Sequence, residues 1–150
     1  MAITGSQLLR ASRQFKRYYE RQFTPLLRRE RLTMREVHVL LFLVNNPDRD
    51  TARDVVELRG LPKSQVSGAV DLLAERGLLL RQPDQEDRRV VHLTLTEAGA
   101  DLGREARKIQ NACVQDMLSP LTAAESAQFQ LLLEKILRIV ERKTQEGVSL

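Results

Sequence analysis

The sequence predicts a mainly α-helical fold that contains one small β-hairpin. Apolar residues recur at helical spacing through most of the 150 residues. Residues 90–95 instead alternate apolar and polar side chains, as a half-buried strand does. Turn-forming residues concentrate in the middle of the chain, between two long helical ends. These observations predict four helices, then a hairpin, then two helices.

The N-terminal part of the chain predicts two helices. Residues 6–30 lack glycine, and we expect Pro25 to kink this first helix or to restart its last turn. The second helix begins at Thr33, because Thr33 and Glu36 have the spacing of a capping box, and it ends at Asn45-Asn46-Pro47. Its expected core face consists of Val37, Leu40, Leu41 and Val44.

The middle of the chain predicts a helix-turn-helix. A short helix begins near Thr51 and ends at Gly60. Pro62 favours the first turn of the next helix, and Gly77 is the left-handed residue that ends it. The core stripe of this next helix follows the i, i+3, i+4, i+7 spacing and consists of Val66, Ala69, Val70 and Leu73.

A hairpin follows this helix-turn-helix. Residues 78–81 and 90–95 predict its strands, joined by a polar turn over residues 83–87. In DNA-binding proteins of this organisation the second helix enters the major groove. We therefore assign residues 33–96 to a winged helix-turn-helix lobe, with the hairpin as the wing.

Two long helices complete the chain, one capped by Thr96 and one opened by a capping box at Thr122 and Glu125. Their apolar stripes and that of the first helix exceed what a small winged-helix lobe can bury. A two-fold interface would bury them, so we expect a homodimer. We expect residues 1–150 to form a single domain, with residues 1–32 and 97–150 as its helical dimerisation region.

The second helix of the helix-turn-helix has a polar face suited to DNA. Ser64, Ser67, Gly68 and Asp71 lie on it, and small polar residues there would let the helix approach base edges closely. Lys63 and Gln65 lie near the N-terminal end, where backbone amides and the helix dipole favour phosphate. The same pattern also fits a plain solvated face of an amphipathic helix.

The predicted wing carries arginine beside its tip. Arg88 and Arg89 would lie on a thin ribbon, from which arginine reaches a narrow minor groove. We expect Asp87 to hold one of them through a charge-assisted hydrogen bond. The alternative is a surface turn whose acidic and basic residues balance each other.

Several motifs resemble those of the multiple antibiotic resistance regulator (MarR) family. They are Val70-Asp71, Glu75-Arg76-Gly77-Leu78, Asp87-Arg88-Arg89 and Leu93-Thr94-Leu95-Thr96-Glu97-Ala98-Gly99. The resemblance implies a dimer in which the first, fifth and sixth helices interlock. Most such proteins are repressors, often relieved by small aromatic anions or by oxidation. At residues 65–68 the family often has Thr-Val-Thr-Arg, so Gly68 stands here in place of an arginine.

Composition narrows the function classes. The net charge of +4 and the pI of about 9.6 fit nucleic acid, an anionic surface, or merely a basic protein. One cysteine, Cys113, excludes an internal disulfide, and its place on an apolar stripe predicts a buried, inert thiol. We expect a cytoplasmic protein without a membrane span, because no apolar run is long enough and the N-terminus has no signal-peptide pattern.

Neither an enzyme nor a metal site is predicted. His38 and His92 are far apart and lack the spacing of metal ligands, and no catalytic motif is present. We therefore expect no cofactor and no catalytic residue. His38 fits a packed helix residue, and His92 the outward face of a strand.

The sequence thus predicts a regulator that binds a pseudo-palindromic duplex, most simply a repressor relieved by a small aromatic or anionic effector. A cation and aromatic walls for the effector could come from Arg13, Arg17, Tyr18, His38 and Phe42. Each of these residues also fits an ordinary packing or surface role. The alternatives are a helical protein-interaction adaptor with lost or weak DNA binding, suggested by Gly68, and a small enzyme.

Overall fold

The computed structural model describes residues 2–147 and confirms a mainly helical fold with one β-hairpin. Its elements are α1 (Gly5–Gln22), α2 (Thr24–Glu30), α3 (Met34–Asn45), α4 (Ala52–Arg59), α5 (Lys63–Glu75), β1 (Leu79–Pro83), β2 (Val91–Leu95), α6 (Glu97–Leu118) and α7 (Ala123–Gly147). The chain divides into two compact units between Cys113 and Val114, and α6 runs across this division. No helix within residues 2–147 has the length and apolarity needed to cross a bilayer.

The predicted first helix is two helices, so five rather than four precede the hairpin. Thr4 and Gln7 form a capping box that starts α1, which the sequence analysis did not predict. Phe23 separates α1 from α2 and is fully buried. Pro25 lies in the first turn of α2, where the missing amide leaves no bond unmade, so the expected restart occurs there.

Helix α3 is the centre of the N-terminal unit. Its predicted capping box is present, with the Thr33 backbone amide donating to Glu36 Oε2 at 2.7 Å. Of the predicted core face, Val37, Leu40 and Leu41 are buried and Val44 is half-buried. The prediction was too narrow, because Val39, Phe42 and Leu43 are buried in addition. The cause is tertiary: α4, α5 and β2 all pack against α3, so its burial does not follow a single stripe.

Helices α4 and α5 form the predicted helix-turn-helix. Thr51 and Asp54 cap α4, and Gly60 ends it with a left-handed φ of 68°. Pro62 precedes α5 as its N-cap residue rather than lying in the first turn. The four predicted stripe residues of α5 are all buried, and Gly77 follows the helix with a φ of 70°. The buried face of α5 therefore turns the opposite face to solvent.

Strands β1 and β2 form an antiparallel hairpin, which is the wing. Leu79 pairs with Leu95 and Pro83 with Val91, so β1 extends two residues beyond its predicted end. The wing is joined to the start of α4, because the Leu93 amide donates to the Asp50 carbonyl at 2.7 Å and Thr51 forms a bridge with His92. This third partner holds the wing against the helix-turn-helix.

The wing leads directly into α6, which starts in close contact with the end of α5. Thr96 caps α6 as predicted: its Oγ1 accepts from the Gly99 amide at 3.2 Å and donates to the Gly77 carbonyl at 2.7 Å. Gly99 is buried, and a Cβ at this position would lie 1.8 Å from the carbonyl oxygen of Leu78. Only glycine permits this approach of α6 to the chain before β1.

The C-terminal unit contains α7, which begins at the predicted capping box, with the Thr122 amide donating to Glu125 Oε2 at 2.8 Å. None of the α7 residues 123–147 is buried. The predicted apolar stripe is exposed along one side and consists of Phe129, Leu132, Leu133, Ile136, Leu137 and Val140. In the N-terminal unit, by contrast, Cys113 is 3% exposed, as expected for a packed thiol.

Candidate nucleic-acid interface

The exposed face of α5 carries the small polar residues that the sequence singled out. Ser64, Ser67 and Gly68 are exposed, and a Cβ on Gly68 would meet nothing within 4 Å. Lys63 is exposed and Gln65 is half-buried. Since no large side chain covers this face, a rigid surface can approach the α5 backbone closely.

Two of the first four backbone amides of α5 are bonded inside the helix. The Pro62 carbonyl accepts from the Gln65 amide at 3.0 Å and from the Val66 amide at 3.1 Å. These two groups are therefore satisfied inside the helix. The Lys63 and Ser64 amides make no bond within residues 2–147, so these amides, the helix dipole and the Lys63 ammonium all favour phosphate at this end.

An ion pair that the sequence analysis missed links α5 to the wing. Arg81 Nη1 on β1 donates to Asp71 Oδ1 on α5 at 2.5 Å, and both side chains are exposed. Asp71 lies on the same face of α5 as the small polar residues. Its pairing with Arg81 offsets a negative charge that would otherwise repel phosphate.

The two arginines of the wing tip, residues 84–90, lie in different environments. Arg89 donates through Nε to Asp87 Oδ1 at 3.2 Å and through Nη2 to Asp87 Oδ2 at 3.4 Å. The contact expected between Asp87 and an arginine is thus present, and Arg89 is the partner. Arg88 is exposed and makes no side-chain bond within residues 2–147. Its guanidinium is available to an incoming acceptor.

A cleft of about 680 Å³ lies between α4, α5 and the wing. It brings together four of the eight predicted DNA-binding residues, Lys63 and Ser67 from α5 and Asp87 and Arg89 from the wing. Arg53 of α4 also lines the cleft, and the sequence analysis did not select it. The only sequence signal at Arg53 was its i, i+4 spacing to Glu57, to which its Nε donates at 2.8 Å.

His92 links the wing tip to the segment before α4. Its Nδ1 lies 2.9 Å from Asp50 Oδ1, and its Nε2 lies 2.8 Å from Asp84 Oδ1. A neutral imidazole has only one N–H, so both bonds can be donated only by the imidazolium. The Asp50 and Asp84 carboxylates raise the pKa of His92, and His92 lowers the pKa of Asp84 to about 2. His92 is therefore half-buried and bonded, rather than simply outward-facing as expected.

This geometry predicts a pH dependence. Because folding raises the pKa of His92, its contribution to the free energy of unfolding is full below the ordinary value of 6.5 and is lost as pH rises through the folded value. Urea unfolding from pH 6.5 upward should show a decline in wild type that His92→Gln lacks. Parallel profiles for the two proteins would contradict a stabilising role for the His92 bonds to Asp50 and Asp84.

His38 titrates in a lower pH range than His92 and therefore provides the control for the His92→Gln experiment. Burial, and then Arg59 and Lys16, lower the pKa of His38 to about 4, so its contribution is full above 6.5 and is lost as pH falls toward 4. A His38→Asn variant should keep the decline above pH 6.5.

The five residues predicted for an effector lie in different environments. Arg13 and Arg17 are exposed on α1, and Tyr18 is half-buried. Phe42 is 5% exposed within the core cluster. His38 Nδ1 lies 2.5 Å from Arg59 Nη2, and the neutral ring accepts this bond. The effector site remains a prediction. Within residues 2–147, no three His, Cys, Asp or Glu side chains form a group that could hold a metal ion.

Comparison with known proteins points in one direction. Residues 32–90 match the family model described as MarR family. The transcriptional repressor MprA of Escherichia coli (strain K12) is 32% identical over 91 residues, which cover 61% of this chain and 52% of that repressor. The chain therefore matches about half the length of this curated relative.

Solved structures share the fold over most of the chain. BpsR of Bordetella bronchiseptica has a TM-score of 0.69 at 27% identity, covering 87% of this chain and 98% of BpsR. MepR of S. aureus, in complex with DNA, has a TM-score of 0.75 at 24% identity, covering 93% of this chain and 99% of MepR. The winged-helix lobe, residues 32–90, thus matches the MarR family, and the chain shares the fold of these solved structures.

Proposed function

We propose that the protein is a homodimeric regulator of transcription that binds double-stranded DNA sequence-specifically and acts as a repressor. The observation that carries the proposal is the placement of the small polar face of α5 beside the arginine-bearing wing, across one cleft. A relative named as a repressor and a neighbour solved with DNA support it.

The two parts of this surface suit the two grooves of DNA. Helix α5 fits the major groove, where Ser64 and Ser67 hydroxyls can donate to or accept from base edges. The absence of a side chain at Gly68 permits close approach of the α5 backbone. The exposed guanidinium of Arg88 fits the adjacent minor groove, where the negative potential is enhanced. We therefore assign base reading to α5 and groove-width reading to the wing.

The dimer proposal rests on exposed apolar surface at both ends of the chain. The α7 stripe is exposed along its length, and on α1 Leu8, Leu9 and Phe15 are each more than half exposed. Burial of such residues is worth about 1.5–3 kcal/mol each, so a two-fold interface through them would be stable. Sedimentation at micromolar concentration should give twice 17.2 kDa. A monomer at this concentration would contradict the assignment of residues 1–32 and 97–150 to dimerisation.

The DNA proposal is tested by selection of bound duplexes from random sequence. We expect a pseudo-palindrome whose half-sites lie about 10 base pairs apart, with affinity that falls steeply as salt rises. Ser67→Glu, which adds a negative charge to the exposed face of α5, should abolish binding to this duplex. Ser119→Glu adds the same charge in the turn before α7 and should bind normally. Equal affinity for all sequences, or none, would favour the protein-interaction adaptor instead.

We extend the proposal to relief of binding by a small aromatic or anionic effector. Its support is chemical and comparative: Arg13 and Arg17 offer exposed cations, and the BpsR structure concerns regulation of its DNA binding by 6-hydroxynicotinic acid. A panel of aromatic carboxylates should include one that raises the melting temperature and weakens DNA binding. A double Arg13→Ala, Arg17→Ala variant should lose both responses and retain DNA binding.

A further inference from the structure

The guanidinium of Arg76 joins the end of α5 to the end of α2. Its Nη1 donates to the Arg31 carbonyl at 3.1 Å, and its Nη2 donates to the Glu30 carbonyl at 2.5 Å. Arg76 is the C-cap residue of α5, so this contact starts where the helix ends. It connects two elements that lie 45 positions apart in the sequence.

The contact has a local cause at α2. Arg31 ends α2 in the left-handed conformation, with a φ of 53°, and it is the only residue other than glycine with a positive φ within residues 2–147. The last carbonyls of a helix lack intrahelical donors and carry its negative dipole end. A guanidinium satisfies two of them at once, because its donors are fixed in a planar fork.

Helix α2 is in turn attached to α6. Arg29 Nη2 lies 2.7 Å from both carboxylate oxygens of Glu105 on α6. The hydrogen bonds to Glu105 and Glu30 raise the pKa of Arg29, so its guanidinium stays protonated at any physiological pH. Two guanidinium contacts in series therefore connect α6, through α2, to the C-terminal end of α5.

Arg76 lies at the opposite end of α5 from the N-terminal residues proposed to contact DNA. Ser64 lies 12 residues before Arg76, or about 18 Å along the helix axis. The buried stripe of α5 fixes which face of the helix turns inward. A change of tilt at the Arg76 end would still displace the exposed N-terminal end relative to the scaffold.

We propose that Arg76 is a positioning residue for DNA recognition, which sets the angle of α5 against the α2–α6 scaffold and so the separation of the two recognition helices. The inference rests on the proposed function, since it concerns the same DNA-reading surface. Arg76 touches no DNA in this scheme. It acts through the carbonyls of Glu30 and Arg31.

The test is a series of duplexes in which the half-sites of the selected palindrome are moved apart or together by single base pairs. Wild type should bind the selected spacing best. Arg76→Ala should bind that duplex roughly tenfold more weakly, in line with the loss of two charge-assisted bonds. It should also discriminate less between spacings, with an unchanged salt slope. Arg76→Lys should not restore discrimination, because an ammonium lacks the fork.

Arg107→Ala removes the same charge from an exposed position of α6 and should behave as wild type. Unchanged affinity and spacing preference in Arg76→Ala would overturn the proposal. A shallower salt slope would overturn it too, because it would make Arg76 a phosphate contact. A lower melting temperature with an intact spacing preference would reduce Arg76 to a structural role. Failure of wild type to select any sequence would refute the proposed function itself, and is thus distinct from these outcomes.

Discussion

Replacing Arg88 and Arg89 together with alanine is expected to weaken binding to the best duplex by about 2–6 kcal/mol per dimer. We expect one of the two arginines in each protomer to contact the minor groove, and such a contact is worth about 1–3 kcal/mol and occurs twice in a two-fold dimer. Arg88→Ala alone should cause most of the loss, because Arg89 is held by Asp87 while Arg88 is exposed and unpaired within the described residues. The salt slope should become shallower, since fewer counterions are released.

Anisotropy titrations at two salt concentrations measure both effects. The matched control is a double Arg138→Ala, Arg142→Ala variant, which removes the same charge from exposed positions of α7. It should bind with nearly unchanged affinity. Thermal stability should be unaffected in both, because none of these side chains is buried. Wild-type affinity in the wing variant would falsify the wing assignment.

Asp87→Ala separates orientation from total charge. Bulk electrostatics predicts tighter DNA binding when a carboxylate is removed. We expect weaker binding, because Asp87 Oδ1 accepts from both the backbone amide and the Nε of Arg89 and so shapes the wing tip. Asp87→Asn, which keeps an acceptor oxygen, should lie between Asp87→Ala and wild type. Tighter binding by Asp87→Ala would show that charge alone matters here.

Gly99→Ala is expected to lower the free energy of unfolding by about 3 kcal/mol, at the upper end of overpacking effects. The added Cβ would lie 1.8 Å from the Leu78 carbonyl oxygen and 2.8 Å from its carbonyl carbon. Because these are backbone atoms, α6 or the start of β1 must shift. The melting temperature should fall by roughly 6–12 °C on the scale for a chain of this size.

Alanine substitutions at two other glycines provide a comparison for the stability loss expected of Gly99→Ala. Gly103→Ala should cost less, because its Cβ would meet a side-chain methyl group of Val44 at 2.3 Å, while the nearest backbone atom, the Leu40 carbonyl oxygen, lies 3.4 Å away. Gly68→Ala should raise stability by about 0.5–1 kcal/mol, since its Cβ meets nothing and a helix-interior glycine is replaced. Calorimetry of the three variants gives the order. Equal stability of Gly99→Ala and wild type would mean that α6 moves away from Leu78 without penalty.

The order of most elements could be predicted because their signals are local. Capping boxes at Thr33, Thr51 and Thr122 and left-handed glycines lie within a few residues of the helix ends that they define. Pro25 indicated a break in the first helix, but its position at Phe23 had no such signal, because Phe23 is apolar and fits a helical stripe. The burial of Val39 and Leu43 depends on α4, α5 and β2 packing around α3, which no single helical period encodes.

The candidate site likewise contains features with local sequence signals and contacts between residues far apart in the sequence. The polar face of α5 and the Asp87–Arg89 pair follow from short spacings. His92 finds Asp50 at a distance of 42 positions, and Arg76 finds Glu30 at 46, so neither contact could be read from the neighbourhood of either residue. The glycine of the Leu-Thr-Leu-Thr-Glu-Ala-Gly motif was recognised as a family mark. Its physical reason is the close approach of Gly99 to the Leu78 carbonyl, which is a tertiary contact.

The hydrogen bonds within the wing tip have a thermodynamic consequence. Asp84 Oδ2 accepts from the Glu86 and Asp87 amides, and the Val90 amide donates to the Asp87 carbonyl at 3.0 Å. Fixing the backbone of a residue costs about 1–2 kcal/mol in conformational entropy. The loop meets that cost when the chain folds, so little of the free energy of DNA binding is consumed in ordering it. Association through this tip should then approach rigid-body docking, with a small heat-capacity change from the wing itself.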